Sequence, residues 1–188
     1  MSGVHGWLIL DKPCGLGSTQ AVAAVKRVLR EAGYGPRSKD MPKVGHGGTL
    51  DPLAEGVLPI ALGEATKLCG RMLDASKTYA FTIAFGTETT TLDAEGDVCA
   101  TSDVRPTADA IAAALPAFTG PIDQMPPAYS ALKVDGQRAY DLARAGQEVT
   151  LATRAVTIHA LDIVETTSHS VTLLANVSKG TYIRSLAR

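Results

Sequence analysis

The sequence predicts a globular domain of mixed strands and helices. Two observations carry that expectation. Apolar residues recur with period two in some stretches and with helical spacing in others. The 188 residues are 45% apolar and 20% charged, a composition that builds a core rather than a disordered chain. That length suits one domain with a sizeable core, or one domain with a small appendage. No window has the length of apolar residues needed to cross a bilayer, and the N-terminus lacks a signal-peptide shape, so a cytoplasmic location is expected. Cys14, Cys69 and Cys99 are odd in number and share no metal-type spacing. Free thiols in a reducing compartment are expected, and no metal site.

Taken in order, Trp7 to Leu10 reads as a short strand leading into Asp11-Lys12-Pro13. Ser18 then reads as an N-cap, with Val22, Val25, Val28 and Leu29 at helical spacing behind it and Gly33 closing the helix. A polar loop follows from Tyr34 to Lys43. Val57 to Leu62 is an apolar strand candidate, Ala65 to Leu73 a helix, and Lys77 to Phe85 a strand with Tyr79, Phe81, Ile83 and Phe85 on one face. The stretch from Gly86 to Asp97 reads as a polar loop, and Thr107 to Leu115 as a helix with Thr107 as N-cap. Asp135-Gly136 has hairpin-turn chemistry, and Tyr140 to Ala145 is a short helix closed by Gly146. Val156 to Glu165 and Ser170 to Val177 read as a hairpin turning near Ser168-His169. Thr181 would cap a last helix starting at Tyr182.

Gly45-His46-Gly47-Gly48-Thr49-Leu50-Asp51-Pro52-Leu53-Ala54-Glu55-Gly56-Val57-Leu58-Pro59 is the stretch around which the chain is organised. Glycines and prolines make it loop and tight turn, and it delivers one carboxylate, Asp51, onto the rim of a buried sheet. It lacks the lysine of a phosphate-cradling P-loop. From spacing alone, Asp51-Pro52 reads as a turn more readily than as a catalytic acid. The run as a whole, however, resembles the signature of the TruB family of RNA pseudouridine synthases, G-H-x-G-x-L-D-P-x-A-x-G-x-L-P, whose aspartate is catalytic. Gly6-Trp7-Leu8-Ile9-Leu10-Asp11-Lys12-Pro13 with Ser18-Thr19 resembles that family's N-terminal motif, and Lys179-Gly180-Thr181-Tyr182-Ile183-Arg184 matches its K-G-T-Y-I-R. In Gly86 to Gly96 the family usually reads G-x-x-T-D-T-x-D-x-x-G. Asp93 and Gly96 match, but Thr90 replaces the first acid, which puts that acid's contact in doubt.

The resemblance implies an α+β fold with a largely antiparallel central sheet flanked by helices, and a chain that stops inside the catalytic domain. It implies isomerisation of uridine to pseudouridine in the T-arm loop of tRNA, with Asp51 as the catalytic carboxylate. Arg184 would pair with Asp51, and Tyr79 and Tyr182 would hold the uracil ring. His46 would contact the RNA and help splay the nucleotide out, and Lys67 would meet the substrate backbone. The segment from about 126 to 146, with Arg138, Tyr140 and Arg144, resembles the family's thumb-like insertion that grips RNA. Its polar surface and glycines predict mobility without RNA. No metal, organic cofactor, membrane or obligate protein partner is implied.

Each residue also has a plainer reading. Tyr79 would be core packing, Lys67 a solvated lysine, His46 a structural histidine, and residues 126–146 a surface hairpin. Charge alone favours no polyanion. The net charge is −1 and the pI about 6.4, although residues 1–50 carry seven Lys/Arg against three Asp/Glu. The basic part holds Lys26, Arg27, Arg30, Arg37, Lys39 and Lys43 and reads either as a phosphate-binding patch or, preferred on charge alone, as a solvated helix face. Two other classes stay open. One is a guide-RNA-dependent synthase subunit, against which the thumb-like segment argues. The other is a non-catalytic RNA-binding or RNA-folding protein, against which Asp51, Tyr79 and Arg184 argue.

Overall fold

The computed structural model describes residues 3–35, 41–130, 132–134, 136–147 and 151–188. Arg37, Lys39 and Asp135 lie outside the described residues, as do the side chains of Lys133, Ala143 and Arg144. The fold is α+β, and every strand pairing among the described residues is antiparallel. The chain divides into two compact units, Met1–Ala75 and Ser76–Arg188. Among the described residues the strands form a three-stranded sheet, a four-stranded sheet and two short ribbons. Among the described residues no helix is long and apolar enough to cross a membrane.

In the first unit, strand β1 (Gly6–Lys12) leads to helix α1 (Ser18–Glu31), followed by β2 (Val44–His46) and β3 (Gly56–Leu62). The sheet order is β1-β3-β2, so β3 is central, and its Leu58, Ile60 and Ala61 are fully buried. Each large aliphatic side chain buried there contributes about 1.5–3 kcal/mol. Ala21 of α1 completes this core with Val25, Leu10, Leu16, Val44, Leu50 and Leu62 around it, whereas Val28 is 58% exposed. The buried stripe of α1 therefore runs through Ala21 and Val25, one position pair at i, i+4, and leaves Val28 on the solvent side.

Two helix ends follow different chemistry from one another. At the C-terminus Gly33 takes φ +88°, its N–H reaching Arg30 O and that of Tyr34 reaching Leu29 O, the paired bonds of a Schellman ending. At the N-terminus the cap is Gly17, not Ser18. Gln20 accepts from the Gly17 N–H at 2.8 Å, and the Ser18 hydroxyl is spent on a distant loop instead. Gly45-His46, read as loop, forms the short strand β2, because Val44, Gly45 and His46 find partners in Leu62, Ala61 and Ile60. The helix expected over 65–73 is a 3-10 segment, Gly63–Leu68, followed by α2 (Cys69–Asp74).

The second unit contains β4 (Lys77–Ala84), the ribbon β5 (Thr87–Thr89) and β6 (Val98–Thr101), α3 (Ala108–Ala114) and β7 (Gly120–Gln124). After them come the ribbon β8 (Lys133–Val134) and β9 (Gln137–Arg138), α4 (Ala139–Arg144), β10 (Arg154–Thr166), β11 (Ser170–Val177) and α5 (Ile183–Ala187). The main sheet runs β4-β11-β10-β7. Alternate residues of β11, Val171, Leu173, Ala175 and Val177, form one buried face. Along β10 the buried set changes phase, from Val156 and Ile158 to Leu161, at the register shift between Ile158 and Ala160. Thr107 caps α3 as expected, accepting from the Ala110 N–H at 3.2 Å. Strand β7 has no sequence counterpart above. It is short, begins Gly-Pro, and lies at a sheet edge, where proline's missing N–H costs no ladder bond.

Candidate active site

In the first unit, residues between β2 and β3 form a loop closed at its base by the Gly47 N–H on Pro59 O, 2.8 Å. Gly47 is buried, and a Cβ there would stand 2.7 Å from Met72 Cβ, so this position needs glycine for close approach. Asp51 stands exposed at the bend, where its carbonyl accepts from the Ala54 N–H at 3.1 Å across Pro52.

Both neighbours of Asp51 are clamped from the N-terminal motif. On one side, the Ser18 hydroxyl donates to Leu50 O and accepts from the Leu50 N–H, both at 3.0 Å. On the other, Pro52 O accepts from the Gly15 N–H at 2.8 Å and from Lys12 Nζ at 3.2 Å. Lys12 is fully buried, and its ammonium also donates to Leu16 O at 2.7 Å and Pro13 O at 3.1 Å. A buried ammonium must fill its three donors, and here three backbone carbonyls do so. These residues hold the backbone on either side of the carboxylate. Sequence reading noted the Lys12 and Ser18 motif but not this function.

His46 ends β2, half-buried, with its Nδ1 buried and without a hydrogen-bond partner among the described residues. Lys67 sits in the 3-10 segment, exposed, and donates to Glu64. That hydrogen bond, and then the ammonium's charge, hold the Glu64 carboxyl below its usual range.

In the second unit, Tyr79 lies in β4 opposite Ala175, half-buried, and packs against the core with Phe81 and Ile83. Tyr182 is the N-cap of α5, so the helix starts one residue later than expected. Thr181 gives no side-chain cap and instead donates to Ser178 O at 3.0 Å. The buried Gln124, at the end of β7, fixes the Tyr182 backbone. Its Oε1 accepts from the Tyr182 N–H at 2.8 Å and its Nε2 donates to Tyr182 O at 3.1 Å. Nothing in the local sequence marks Gln124 for this role, because its partner lies 58 positions away.

Arg184 is held on three sides. It donates to Thr91 O at 3.0 Å and to Tyr129 O at 3.1 Å, and it pairs with Asp93 Oδ2 at 3.3 Å. The other carboxylate oxygen of Asp93 accepts from the Thr91 hydroxyl at 2.5 Å and from the Glu95 N–H at 3.0 Å. Both charged side chains are largely buried, 15% and 19% exposed, so the pair is strengthened by a low local dielectric. The loop bends through Leu92, at φ +59°, and through Gly96, where a Cβ would stand 2.4 Å from Thr91 Oγ1. Thr90, in the place of the expected acid, is exposed. The ion pair between Arg184 and Asp93 does not involve position 90.

Asp51, His46 and Lys67 thus belong to the first unit, and Tyr79, Tyr182 and Arg184 to the second. In the segment from 126 to 146, Pro126, Pro127, Ser130 and Ala139 are buried, and Gly136, Gln137 and Arg138 are exposed.

Residues 37–183 match the family model described as TruB family pseudouridylate synthase (N terminal domain). The chain is 67% identical over 190 residues to the tRNA pseudouridine synthase B of Novosphingobium aromaticivorans, covering 98% of this chain and 61% of that protein. It is 59% identical over 185 residues to the protein of the same name in Zymomonas mobilis, covering 98% and 59%. The chain therefore spans about three fifths of the length of these curated relatives. Among solved structures it is similar to a chain of a Cbf5-Nop10-Gar1 complex, with TM-score 0.67 and 30% identity, covering 97% of this chain and 42% of that one. A chain of an H/ACA RNP bound to a substrate RNA containing 2′-deoxyuridine matches with TM-score 0.65 and 27% identity, covering 97% and 40%.

Proposed function

From the premise that this chain belongs to the TruB family of pseudouridylate synthases, we propose that it isomerises uridine to pseudouridine in the T-arm loop of tRNA, with Asp51 as the single catalytic carboxylate. The reaction breaks the bond from ribose C1′ to the base nitrogen, turns the uracil, and forms a bond from C1′ to a ring carbon. That carbon gives up a proton and the nitrogen gains one. No electron is transferred and no group is imported, so the chemistry calls for no cofactor. One carboxylate can serve it as nucleophile or as base.

The observation that carries this reading is the double clamp on the Asp51 loop. Ser18 on Leu50, with Lys12 and Gly15 on Pro52, fixes an acid within the family's motif, as positional catalysis requires. In the proposed site Arg184 serves the reacting nucleotide, and Asp93, Thr91 and Tyr129 hold its guanidinium in place. Tyr79 stacks on the target base, and Tyr182 borders the ring. His46 contacts the RNA and helps extrude the nucleotide, the usual solution when an enzyme must reach a base. Lys67 meets the RNA backbone, and residues 126–146 press on it as a thumb.

The similarity to a chain of an H/ACA RNP bound to a substrate RNA supports a second reading, in which a guide RNA presents the target. The higher identity to proteins named tRNA pseudouridine synthase B favours the first. Tritium release from uridine-labelled T-arm RNA, with no other RNA present, tests both readings. Turnover is expected from the native sequence, and its absence unless a guide RNA is added would favour the second. Asp51→Asn is expected to abolish turnover while leaving RNA affinity nearly unchanged. Retained turnover would refute the assignment. Arg184→Lys is expected to slow turnover, since an ammonium lacks the planar fork.

A further inference from the structure

A groove in the first unit, about 630 Å³ in volume, is lined by α1, by β2 with the residues just before it, and by Thr66 of the 3-10 segment and Cys69 at the start of α2. We infer that it binds the phosphate backbone of an RNA strand, through Lys26, Arg30 and Lys43, with His46 at its border. This extends the proposal that RNA is the substrate, on which it rests, by assigning a path for the strand. Four features carry it.

The polar lining is one-signed. Lys26, Arg30, Lys43 and His46 line the groove, and no described Asp or Glu does. The cations are available: none of the three lysine and arginine side chains makes an ion pair among the described residues, whereas Arg27, next in sequence to Lys26, pairs with Glu31. The carboxylate that feels Lys43 is Glu64, outside the lining and bound to Lys67. Like charges gathered along one groove repel, and a polyanion relieves that.

The geometry is set by the fold. Lys26 and Arg30 are four residues apart on α1, about 6 Å along the axis and on one stripe of the helix. Lys43 is fixed at its backbone, where its carbonyl accepts from the Gly63 N–H at 2.7 Å. Lys26 is half-buried, which suits a long side chain whose stem packs while its charge stays solvated. Met41, Pro42 and Val44 add apolar lining. Cationic and apolar lining together suit a nucleotide strand, with phosphate on the former and sugar or base on the latter. Finally, the groove is continuous with the Asp51 loop, since His46 and Gly45 both line it and lead directly into Gly47.

The test measures fluorescence anisotropy of a labelled RNA stem-loop with the 188-residue chain over a range of salt. The double variant Lys26→Gln/Arg30→Gln is expected to bind about tenfold more weakly at low salt, equally for all loop sequences. The slope of log affinity against log salt should fall by roughly 1.4–1.8, two phosphate contacts at about 0.7–0.9 each. Arg27→Gln is the control and should bind like the native chain. Lys26→Arg/Arg30→Lys keeps the charge and should restore binding, which separates groove chemistry from misfolding. Native affinity and slope in the double variant, an equal loss in Arg27→Gln, or failure of the charge-keeping pair to restore binding would each overturn the inference. Displacement of RNA by millimolar inorganic phosphate would assign the groove to a free anion instead. If the native chain binds RNA with the expected salt slope yet releases no tritium, the proposed reaction fails and the groove stands. If it turns over and the double variant binds normally, the groove alone fails.

Discussion

Replacing Lys12 by methionine keeps the side chain's length and removes only its ammonium. In the structure that ammonium is fully buried and donates to Pro13 O, Leu16 O and Pro52 O at 3.1, 2.7 and 3.2 Å. A hydrogen bond to a charged group contributes about 1.5–3 kcal/mol net, so three amount to roughly 4.5–9 kcal/mol. Against this stands the cost of burying the charge, several kcal/mol, which the variant no longer bears. Pro52 O keeps the Gly15 N–H, but Leu16 O and Pro13 O lose the partner seen here. The balance is a loss of about 2–3 kcal/mol. For a chain of this size that is a fall in melting temperature of roughly 4–12 °C. Trp7, the chain's one tryptophan, lies in β1 five residues before Lys12, so its fluorescence on heating reports the unit concerned. The same variant is expected to slow tritium release, because one of the two clamps beside Asp51 is weakened. Stability within about 0.5 kcal/mol of the native chain, together with unchanged turnover, would refute the clamp.

Three further outcomes are expected. Asp93→Asn removes the charge of the Asp93–Arg184 pair and should cut turnover by about ten- to a hundredfold through misplacement of the guanidinium, with RNA affinity little changed. Equal kinetics would show that Thr91 and Tyr129 suffice. Gly96→Ala puts a Cβ 2.4 Å from Thr91 Oγ1 and 2.6 Å from Thr91 N, so it should cost about 1–3 kcal/mol in a thermal melt, and a neutral result would show that the loop yields freely. Glu64 titrates below the usual carboxylate range, so its bond to Lys67 favours the folded state above that range and is lost as pH falls through the lowered value. Lys67→Gln should move the Glu64 titration, followed by NMR of its side-chain carboxyl, back up to the ordinary range, and an unmoved titration would refute the pairing.

The elements legible in the sequence are those whose signal is local. Thr107 caps its helix because a hydroxyl reaches an N–H three residues on, and Gly33 ends another because only glycine takes that positive φ cheaply. The alternation from Lys77 to Ala84 is the half-buried face of β4, since period two is fixed by the strand itself. The family motif around Asp51 is likewise one continuous run. Where a residue had a local and a distant option, local reading chose wrongly: Ser18 looked like a cap and is instead a clamp on Leu50, 32 positions away. Strand β7 escaped notice because its order comes from β10, not from its own Gly-Pro-Ile-Asp-Gln.

By itself, then, the sequence determined the α+β class, most element positions, the acid-bearing loop and the family to which they belong. Only the tertiary structure decided what each polar group is bound to. Lys12 reaches Pro52 across 40 positions, Gln124 reaches Tyr182 across 58, and Arg184 reaches Thr91 across 93. Lys26, Arg30 and Lys43, scattered in sequence, meet along one groove. Such partners are chosen by burial, where a donor without an acceptor is costly, and burial is set by how distant segments pack rather than by the residues adjacent in the chain.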